Sequence, residues 1–366
     1  MDIIGARISD KKEHQMTILS SMETMGHEQV AFFSDPDTGL RAIIAVHDTT
    51  LGPALGGCRF WDYPSEDAAL FDVLRLSRGM TYKSAVAGLK LGGGKSVILG
   101  DVKRLKTPKL LEAFGRCVER MGGRYITAED MNMGAEDIVT ISHTTQFAAG
   151  KPQEMKGGSG NPSPFTALGV LCGIEAAVKH RLGKDSLSGL HIAMQGCGAV
   201  GQHLAGLLHE KGVRLSVSDL SSAATQKMAT EYGARVVPLD EIHRVEADVY
   251  APCAMGAILN PTTISELQVP IVAGAANNQL LEEKRDGKML QDRSILWAPD
   301  FVINAGGVIN VYHELIGYNE AASRKEVVGI RETLRQLFLK AEKEHCTTLE
   351  ASIRMGDEIL AAARAK

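Results

Sequence analysis

One junction constrains this chain more than any other. His191–Gln195, a short strand-like run, passes directly into Gly196-Cys197-Gly198-Ala199-Val200-Gly201, and a helical pattern opens at Ala199. In a GxGxxG turn the first glycine permits the tight bend and the second lets a pyrophosphate approach the backbone. The third allows the helix to lie close against its strand, and the helix N-terminus offers free N–H groups to the anion. The spacing alone is weak evidence; the strand before it and the helix after it are what give it weight. The next strand, Leu215–Ser218, runs into Asp219, roughly twenty residues beyond the glycines, where a carboxylate accepts ribose hydroxyls and repels a 2′-phosphate. Leu220 follows, with no cation to hold such a phosphate. NAD is therefore expected rather than NADP. The competing reading is a structural glycine turn followed by a solvated aspartate.

Strand and helix alternate on both sides of this junction. Helical spacing covers Ser163–His180, Ala199–Lys211 and Ala223–Tyr232, and strands are expected at Arg214–Ser218, Val249–Ala251 and Ile271–Gly274. That order predicts a doubly wound parallel sheet. Upstream, Ala31–Val46 reads as a hairpin turning at Asp35–Gly39. Ser65–Arg78 reads as a helix capped by Ser65, and Ser96–Leu99 as a short strand. Pro108–Met121 and Ala135–Ala149 are further expected helices, and residues 1–25 are expected to be irregular. Glycine and proline cluster between Gly150 and Pro164, which marks a hinge. The expectation is an α/β protein of two domains with a cleft between them. An N-terminal domain (1–150) would bind substrate and oligomerise, and a Rossmann domain (151–345) would follow. A last helical pair breaks near His345–Thr347, and residues 346–366 are expected to return to the first domain.

The 366 residues carry a formal charge of −4 with 23% charged and 44% hydrophobic residues, and no basic tract. Neither nucleic acid nor an anionic membrane is expected as a partner. Six cysteines lie far apart without a Cys-x-x-Cys pair, and the histidines lack metal-ligand spacing, so no metal site and no disulfide framework is expected. Without a transmembrane run or an apolar leader, the expected location is the cytoplasm.

The candidate chemistry lies in Met80-Thr81-Tyr82-Lys83 and Leu91-Gly92-Gly93-Gly94-Lys95-Ser96. Both lysines sit among apolar neighbours. A buried lysine is uncommon unless paired or functional, and burial beside another cation lowers its pKa toward that of a usable base. Surface lysines are the alternative. Asp130 ends a β-rich run; near two lysines it would either relay protons or merely neutralise them.

The chain resembles the amino-acid dehydrogenase superfamily of glutamate, leucine, phenylalanine and valine dehydrogenases, and within it the leucine dehydrogenase branch. The resemblance is carried by HDTTLGPALGG (47–57), LRLSRGMTYK (74–83), LGGGKSVI (91–98) and ITAED (126–130). Downstream it continues through GSGNPSP (158–164), APCAMGAILN (251–260), AGAANNQL (273–280) and APDFVINAGGVINV (298–311). It implies reversible oxidative deamination of an L-amino acid to its 2-oxo acid and ammonia. Lys83 would bind the substrate carboxylate, Lys95 would activate water, and Asp130 would assist proton transfer at the amino group. Gly56, Gly57 and Asn278 would touch the substrate. Thr166, Ala199, Val200, Cys253, Ala254 and Asn277 would join Gly196, Gly198, Gly201 and Asp219 around NAD. A homo-oligomer is implied, octameric or smaller.

The same resemblance assigns the side-chain pocket to Leu55, Ala128, Val308 and Val311. Glutamate needs a cation at the floor, because burying a bare carboxylate is prohibitive; Leu55 is apolar. Aromatic-preferring relatives resemble Gly and Leu at the positions of Ala128 and Val308, so the expected substrates are leucine, isoleucine and valine. The chain departs from leucine dehydrogenases at Met131-Asn132-Met133 and at Tyr312-His313, the latter resembling a tryptophan-preferring relative. A phenylalanine- or tryptophan-preferring enzyme is the alternative within the family. A non-catalytic NAD-binding sensor is the alternative outside it.

Overall fold

The computed structural model describes residues 17–155 and 157–365. The chain divides into two units, one running to Ala85 and resuming over Lys90–Gly158, the other comprising Val86–Leu89 and Ser159 onward. The division falls inside the Gly/Pro-rich stretch, at Gly158/Ser159 rather than at residue 150. Residues 346 onward belong to the second unit and do not return to the first. The reason is local. His345 takes a left-handed turn (φ 51°), Thr347 caps the next helix with a reciprocal Glu350 box, and Leu349 is drawn into the core around Tyr250 and Trp297.

The first unit contains α1 (Ile18–Met25), β1 (Gln29–Asp35), β2 (Leu40–Asp48), β3 (Ala54–Trp61), α2 (Glu66–Val86) and β4 (Gly92–Leu99). It continues through α3 (Val102–Leu105), α4 (Pro108–Arg120), β5 (Tyr125–Ala128) and α5 (Ala135–Ser142). A helix thus occupies 18–25, where irregular chain was expected; residues 1–16 lie outside the described residues. The hairpin forms as expected, with Asp35 opposite Leu40. The five strands lie in the order β1-β2-β4-β3-β5. β1, β2 and β4 pair antiparallel, and β4, β3 and β5 pair parallel.

Alternation along the strands sends side chains to two faces. Ala42, Ile44, Cys58, Phe60 and Ile98 join Leu110, Phe114 and Ile138 of α4 and α5 in one core. Ile43, Ala45, Val97 and Leu99 meet Ala69, Leu70, Val73 and Leu74 of α2 on the other. The apolar positions of α2 recur at helical spacing, and Ser65 caps the helix through the Ala68 N–H (3.1 Å). The helix runs on to Val86, eight residues beyond the expected Arg78, and so carries Lys83 in its last turn.

The glycine run is the main local surprise. The strand expected at Ser96–Leu99 begins four residues earlier, so that Gly92, Gly93 and Gly94 lie within β4. A Cβ at each would strike a different neighbour: the Asp48 carbonyl at 2.0 Å, Thr81 Oγ1 at 2.1 Å and the Tyr125 ring at 2.7 Å. The run is demanded by close packing on both faces rather than by chain flexibility.

The second unit begins with α6 (Ser163–Leu182), β6 (His191–Gln195), α7 (Ala199–Glu210), β7 (Arg214–Ser218), α8 (Ser222–Tyr232), β8 (Arg235–Val236) and β9 (Val249–Pro252). It continues with α9 (Pro261–Glu266), β10 (Ile271–Val272), α10 (Glu283–Asp292), β11 (Leu296–Trp297), α11 (Asp300–Ile303) and α12 (Gly306–Leu315). α13 (Glu320–Val328), α14 (Ile330–Glu344) and α15 (Thr348–Arg364) complete it. All six strands are parallel, in the order β11-β10-β9-β6-β7-β8. This is the doubly wound order, with the change of direction between β6 and β9, where ligands bind beyond the strand C-termini. No helix among the described residues is long and apolar enough to cross a membrane.

Candidate active site

Lys95 lies opposite Ala45 in the β2–β4 register, and its neighbour Ser96 lies opposite Cys58 of β3. Lys95 therefore projects to the α2 face, as does Arg59. Lys95 is 7% exposed, and its Nζ bonds Asp130 Oδ2. Asp130 follows the C-terminal end of β5 and is drawn close because Gly57 has no side chain: a Cβ there would meet the Glu129 carbonyl at 2.2 Å. Its other oxygen, Oδ1, accepts the Met131 N–H at 2.6 Å and faces Arg59 Nη2 at 3.5 Å. The structure thus places Asp130 directly on Lys95.

Burial pushes the Lys95 pKa from 10.5 down to about 7, helped by the positive charges of Arg59 and Lys83 and opposed by Asp72. Contact with Asp130 favours the charged ammonium, but Asp130 also faces the Arg59 guanidinium. Removal from water and two like charges outweigh the carboxylates, leaving an amine poised near neutrality. Lys83 acts on it electrostatically from the last turn of α2, where the helix dipole favours a cation.

Arg59 and Asp72 were not singled out by sequence reasoning. Each carries a recognisable signal: Arg59 interrupts the apolar strand ALGGCRFW, and Asp72 interrupts the buried stripe of α2. Arg59 Nη1 donates to Asp72 Oδ2 at 2.8 Å, and the Tyr63 hydroxyl donates to the same oxygen at 2.8 Å.

Of the expected side-chain pocket, Leu55 (2% exposed) and Ala128 (9%) sit on β3 and β5 of the first unit. The Gly56 carbonyl accepts the Tyr125 hydroxyl at 2.6 Å. Val308 and Val311 are one helical turn apart on α12 of the second unit, Val308 half-buried and Val311 buried. Met131–Met133 forms a turn in which Asn132 is left-handed (φ 62°) and donates from Nδ2 to the Phe60 carbonyl (3.0 Å). The turn that departs from leucine dehydrogenases is thus the one that presents the Met131 N–H to Asp130. Tyr312 is half-buried, and His313 bonds Glu326 Oε2 (2.7 Å).

The second unit builds a dinucleotide cradle at the β6/β9 switch point. Gly196 has φ 108° and a Cβ there would meet the Cys253 carbonyl carbon at 2.7 Å; one at Gly201 would meet the Gly196 carbonyl oxygen at 2.1 Å. Gly198 and Ala199 are exposed and Val200 half-buried, beside the start of α7. Asp219 is half-buried; Oδ2 accepts the Cys197 N–H at 2.6 Å and Oδ1 the Ser221 N–H at 2.8 Å. It therefore braces the glycine turn besides presenting a carboxylate. Cys253 and Ala254 follow β9, with the Cys253 thiol pushed up to about 12 by burial, so it is inert as a nucleophile. Asn277 and Asn278 are exposed after β10, and Thr166 is half-buried in the first turn of α6.

A further residue emerges here. Asn304 Nδ2 donates to Asn277 Oδ1 (2.6 Å) and to the Ala275 carbonyl (3.1 Å), while its own Oδ1 is buried without a partner. Buried acceptors are normally satisfied. An orphan carbonyl beside Asn277 suits the carboxamide N–H of a nicotinamide, so the residues present fit a dinucleotide. Its signal in the sequence is one amide inside the apolar run VINAGGVI.

Residues 27–147 match the Glu/Leu/Phe/Val dehydrogenase dimerisation domain, and residues 157–227 and 221–365 match the Glutamate/Leucine/Phenylalanine/Valine dehydrogenase domain. A leucine dehydrogenase of Geobacillus stearothermophilus is 48% identical over 94% of this chain and 93% of its own. A phenylalanine dehydrogenase of Caldalkalibacillus thermarum is 47% identical over 91% of each. The crystal structure of L-tryptophan dehydrogenase from Nostoc punctiforme superimposes with a TM-score of 0.85 at 44% identity, covering 95% of this chain and all of that one.

Proposed function

Since the chain belongs to the glutamate/leucine/phenylalanine/valine family of amino-acid dehydrogenases, we propose that it catalyses the reversible, NAD-dependent oxidative deamination of leucine, isoleucine or valine to the 2-oxo acid and ammonia. The observation that carries this reading is the buried Lys95 on Asp130, held near neutrality with Lys83 as a second cation.

Lys83 anchors the substrate carboxylate. Asp130 takes a proton from the substrate ammonium, leaving the free amine. The Gly196–Gly201 turn, Asp219, Cys253, Ala254, Thr166, Asn277 and Asn304 would hold a nicotinamide dinucleotide, which would supply the acceptor for the hydride leaving Cα. On the resulting iminium carbon, Lys95 in its neutral form removes a proton from water as the water oxygen bonds to Cα. Asp130 returns its proton to nitrogen, and the carboxylate so freed takes the hydroxyl proton as the C–N bond breaks to release ammonia and the 2-oxo acid.

An apolar side chain is supported by Leu55, Ala128 and Val311, each buried and without charge. NAD is supported by Asp219, whose carboxylate would repel a 2′-phosphate, and by the exposed Leu220 beside it. Homo-oligomerisation, as an octamer or smaller, is supported by the match to the dimerisation domain and by β1, a sheet edge carrying Phe32 at 51% exposure. An aromatic substrate is the second reading, favoured by Tyr312 on the helix of Val308 and Val311 and by the tryptophan and phenylalanine dehydrogenases among the relatives.

The deciding measurement is the rate of reduced-cofactor formation from leucine, isoleucine, valine, phenylalanine, tryptophan and glutamate, each with NAD⁺ and with NADP⁺. Fastest turnover of a branched-chain substrate with NAD⁺ is expected. Preference for an aromatic substrate selects the second reading, and no turnover of any of them would leave a non-catalytic sensor.

A further inference from the structure

Arg59 is placed unlike an ordinary structural arginine. It leaves β3 on the α2 face, 14% exposed, between two carboxylates, Asp72 at 2.8 Å and Asp130 at 3.5 Å. Its Nε is buried with no hydrogen-bond partner. A guanidinium kept in a buried site with one donor unsatisfied costs stability. Asp72 is in turn held by the Tyr63 hydroxyl (2.8 Å) and faces Arg75 (3.5 Å). The four side chains form one line of charge from the surface of α2 inward: Arg75, Asp72, Arg59, Asp130, with Lys95 at its end.

We propose that Arg59, clamped by Asp72, is a positioning residue that orients the Asp130 carboxylate and competes with Lys95 for its charge. The inference rests on Lys95 being the catalytic base. Asp130 has one oxygen on Lys95 and the other between Arg59 and the Met131 N–H. Two opposed contacts fix the plane of the carboxylate, and the cation on the far side competes with Lys95 for its charge. The charged and titratable groups around Lys95 are Arg59 and Cys58 from β3, Asp72 and Lys83 from α2, and Asp130 beyond β5; Asp137 lies nearer to Cys58. The Cys58 thiol is pushed up to about 12 by burial and stays neutral, and burial also raises the Tyr63 hydroxyl above its ordinary value. Arg59 and Lys83 are therefore the groups that disfavour the ammonium. Arg59 also touches Asp130, so it acts on Lys95 through the carboxylate as well as by its own charge.

The test uses the full chain with two readouts. Acylation of Lys95 by an amine-reactive anhydride, followed by peptide mass spectrometry across pH, reports the protonation of Lys95 whatever its role. The pH profile of kcat for deamination reports the base in action. In Arg59→Met the Lys95 labelling midpoint is expected to rise by about one pH unit. The kcat is expected to fall roughly fivefold to tenfold near neutrality, with most of the loss regained at high pH, whereas Arg59→Lys keeps a midpoint close to that of the parent. A merely structural role would lower kcat at every pH without moving the midpoint, and that result overturns the proposal. A midpoint that moves while the kcat profile does not would leave the proposal standing and refute Lys95 as the base. Where the methionine variant does not fold, Arg59→Gln carries the same expectation, since it retains a donor for Asp72.

Discussion

Lys95 and Arg59 leave adjacent strands on the same face of one sheet and converge on the same carboxylate, that of Asp130. Three cations, Lys95, Arg59 and Lys83, act on one another in a buried site with two carboxylates, Asp130 and Asp72, so not all of them can be fully compensated. The guanidinium stays charged at all accessible pH, so the amine is the group that yields. This asymmetry makes Lys95 available as a base.

Lys95→Ala is expected to reduce deamination by about 10³-fold or more, in the range of a lost general base. Binding of the nicotinamide cofactor, which we assign by proposal to residues of the second unit, is expected to persist. Cofactor affinity by fluorescence titration and turnover on the best substrate check the two halves, and substantial retained turnover would refute the assignment.

With Lys95 as the proposed neutral base and its pKa lowered by burial to about 7, the rate of deamination should climb as pH rises through that region and level off above it. The measurement is kcat/KM from pH 6 to 10 under saturating cofactor. A profile flat across this range is incompatible with a lysine base of that pKa.

Asp219 braces Cys197 as well as presenting a carboxylate where a ribose would lie. In Asp219→Ser the charged hydrogen bond to the Cys197 N–H is lost, worth about 1.5–3 kcal/mol, and with it the repulsion of a 2′-phosphate. NAD should bind more weakly, by roughly tenfold to a hundredfold, and the ratio of NADP to NAD turnover should rise. An unchanged ratio would show that cofactor choice lies elsewhere.

His27 and His47 stack edge to face with ring centres 4.8 Å apart, beneath α2. His47 Nε2 lies 3.0 Å from the Met25 carbonyl, to which it donates, so Nδ1 accepts the Thr81 hydroxyl at 2.8 Å. His27 Nε2 lies 2.8 Å from Ser77 Oγ and 3.1 Å from the Leu74 carbonyl, while Nδ1 is buried and unpartnered. Burial, then the neighbouring His47, lowers the His27 pKa from 6.5 to about 4. Between those values the unfolded chain binds more protons than the folded one. Stability from this site is therefore complete above pH 6.5 and is lost as pH falls toward about 4. Urea midpoints at several pH values should decline across this window, and less steeply in His27→Gln. Equal slopes in the two proteins would exclude this histidine as the cause.

Much of this protein is legible in its sequence because the signals are local. The glycine turn, Asp219, the hairpin at Asp35–Gly39, the Ser65 cap and the alternation of strand and helix each depend on neighbours within a few residues, and the structure carries all of them. What was misread depends on packing. The strand expected from Ser96 in fact starts at Gly92, because Asp48, Thr81 and Tyr125, distant in the chain, leave room only for bare backbone there. Similarly, the sequence suggests that residues 346–366 return to the first domain, whereas Leu349 joins the core around Trp297 in the second unit.

The division is sharpest at the catalytic group. The sequence determined that two lysines and an aspartate exist in segments resembling those of amino-acid dehydrogenases. Only the tertiary structure decided that Lys95 contacts Asp130 and that Arg59 and Asp72 stand behind them. The physical reason is that a pKa depends on burial and on charges within a few ångströms. Those charges come from β3, α2 and the turn after β5, elements whose proximity follows from sheet order and register rather than from spacing along the chain.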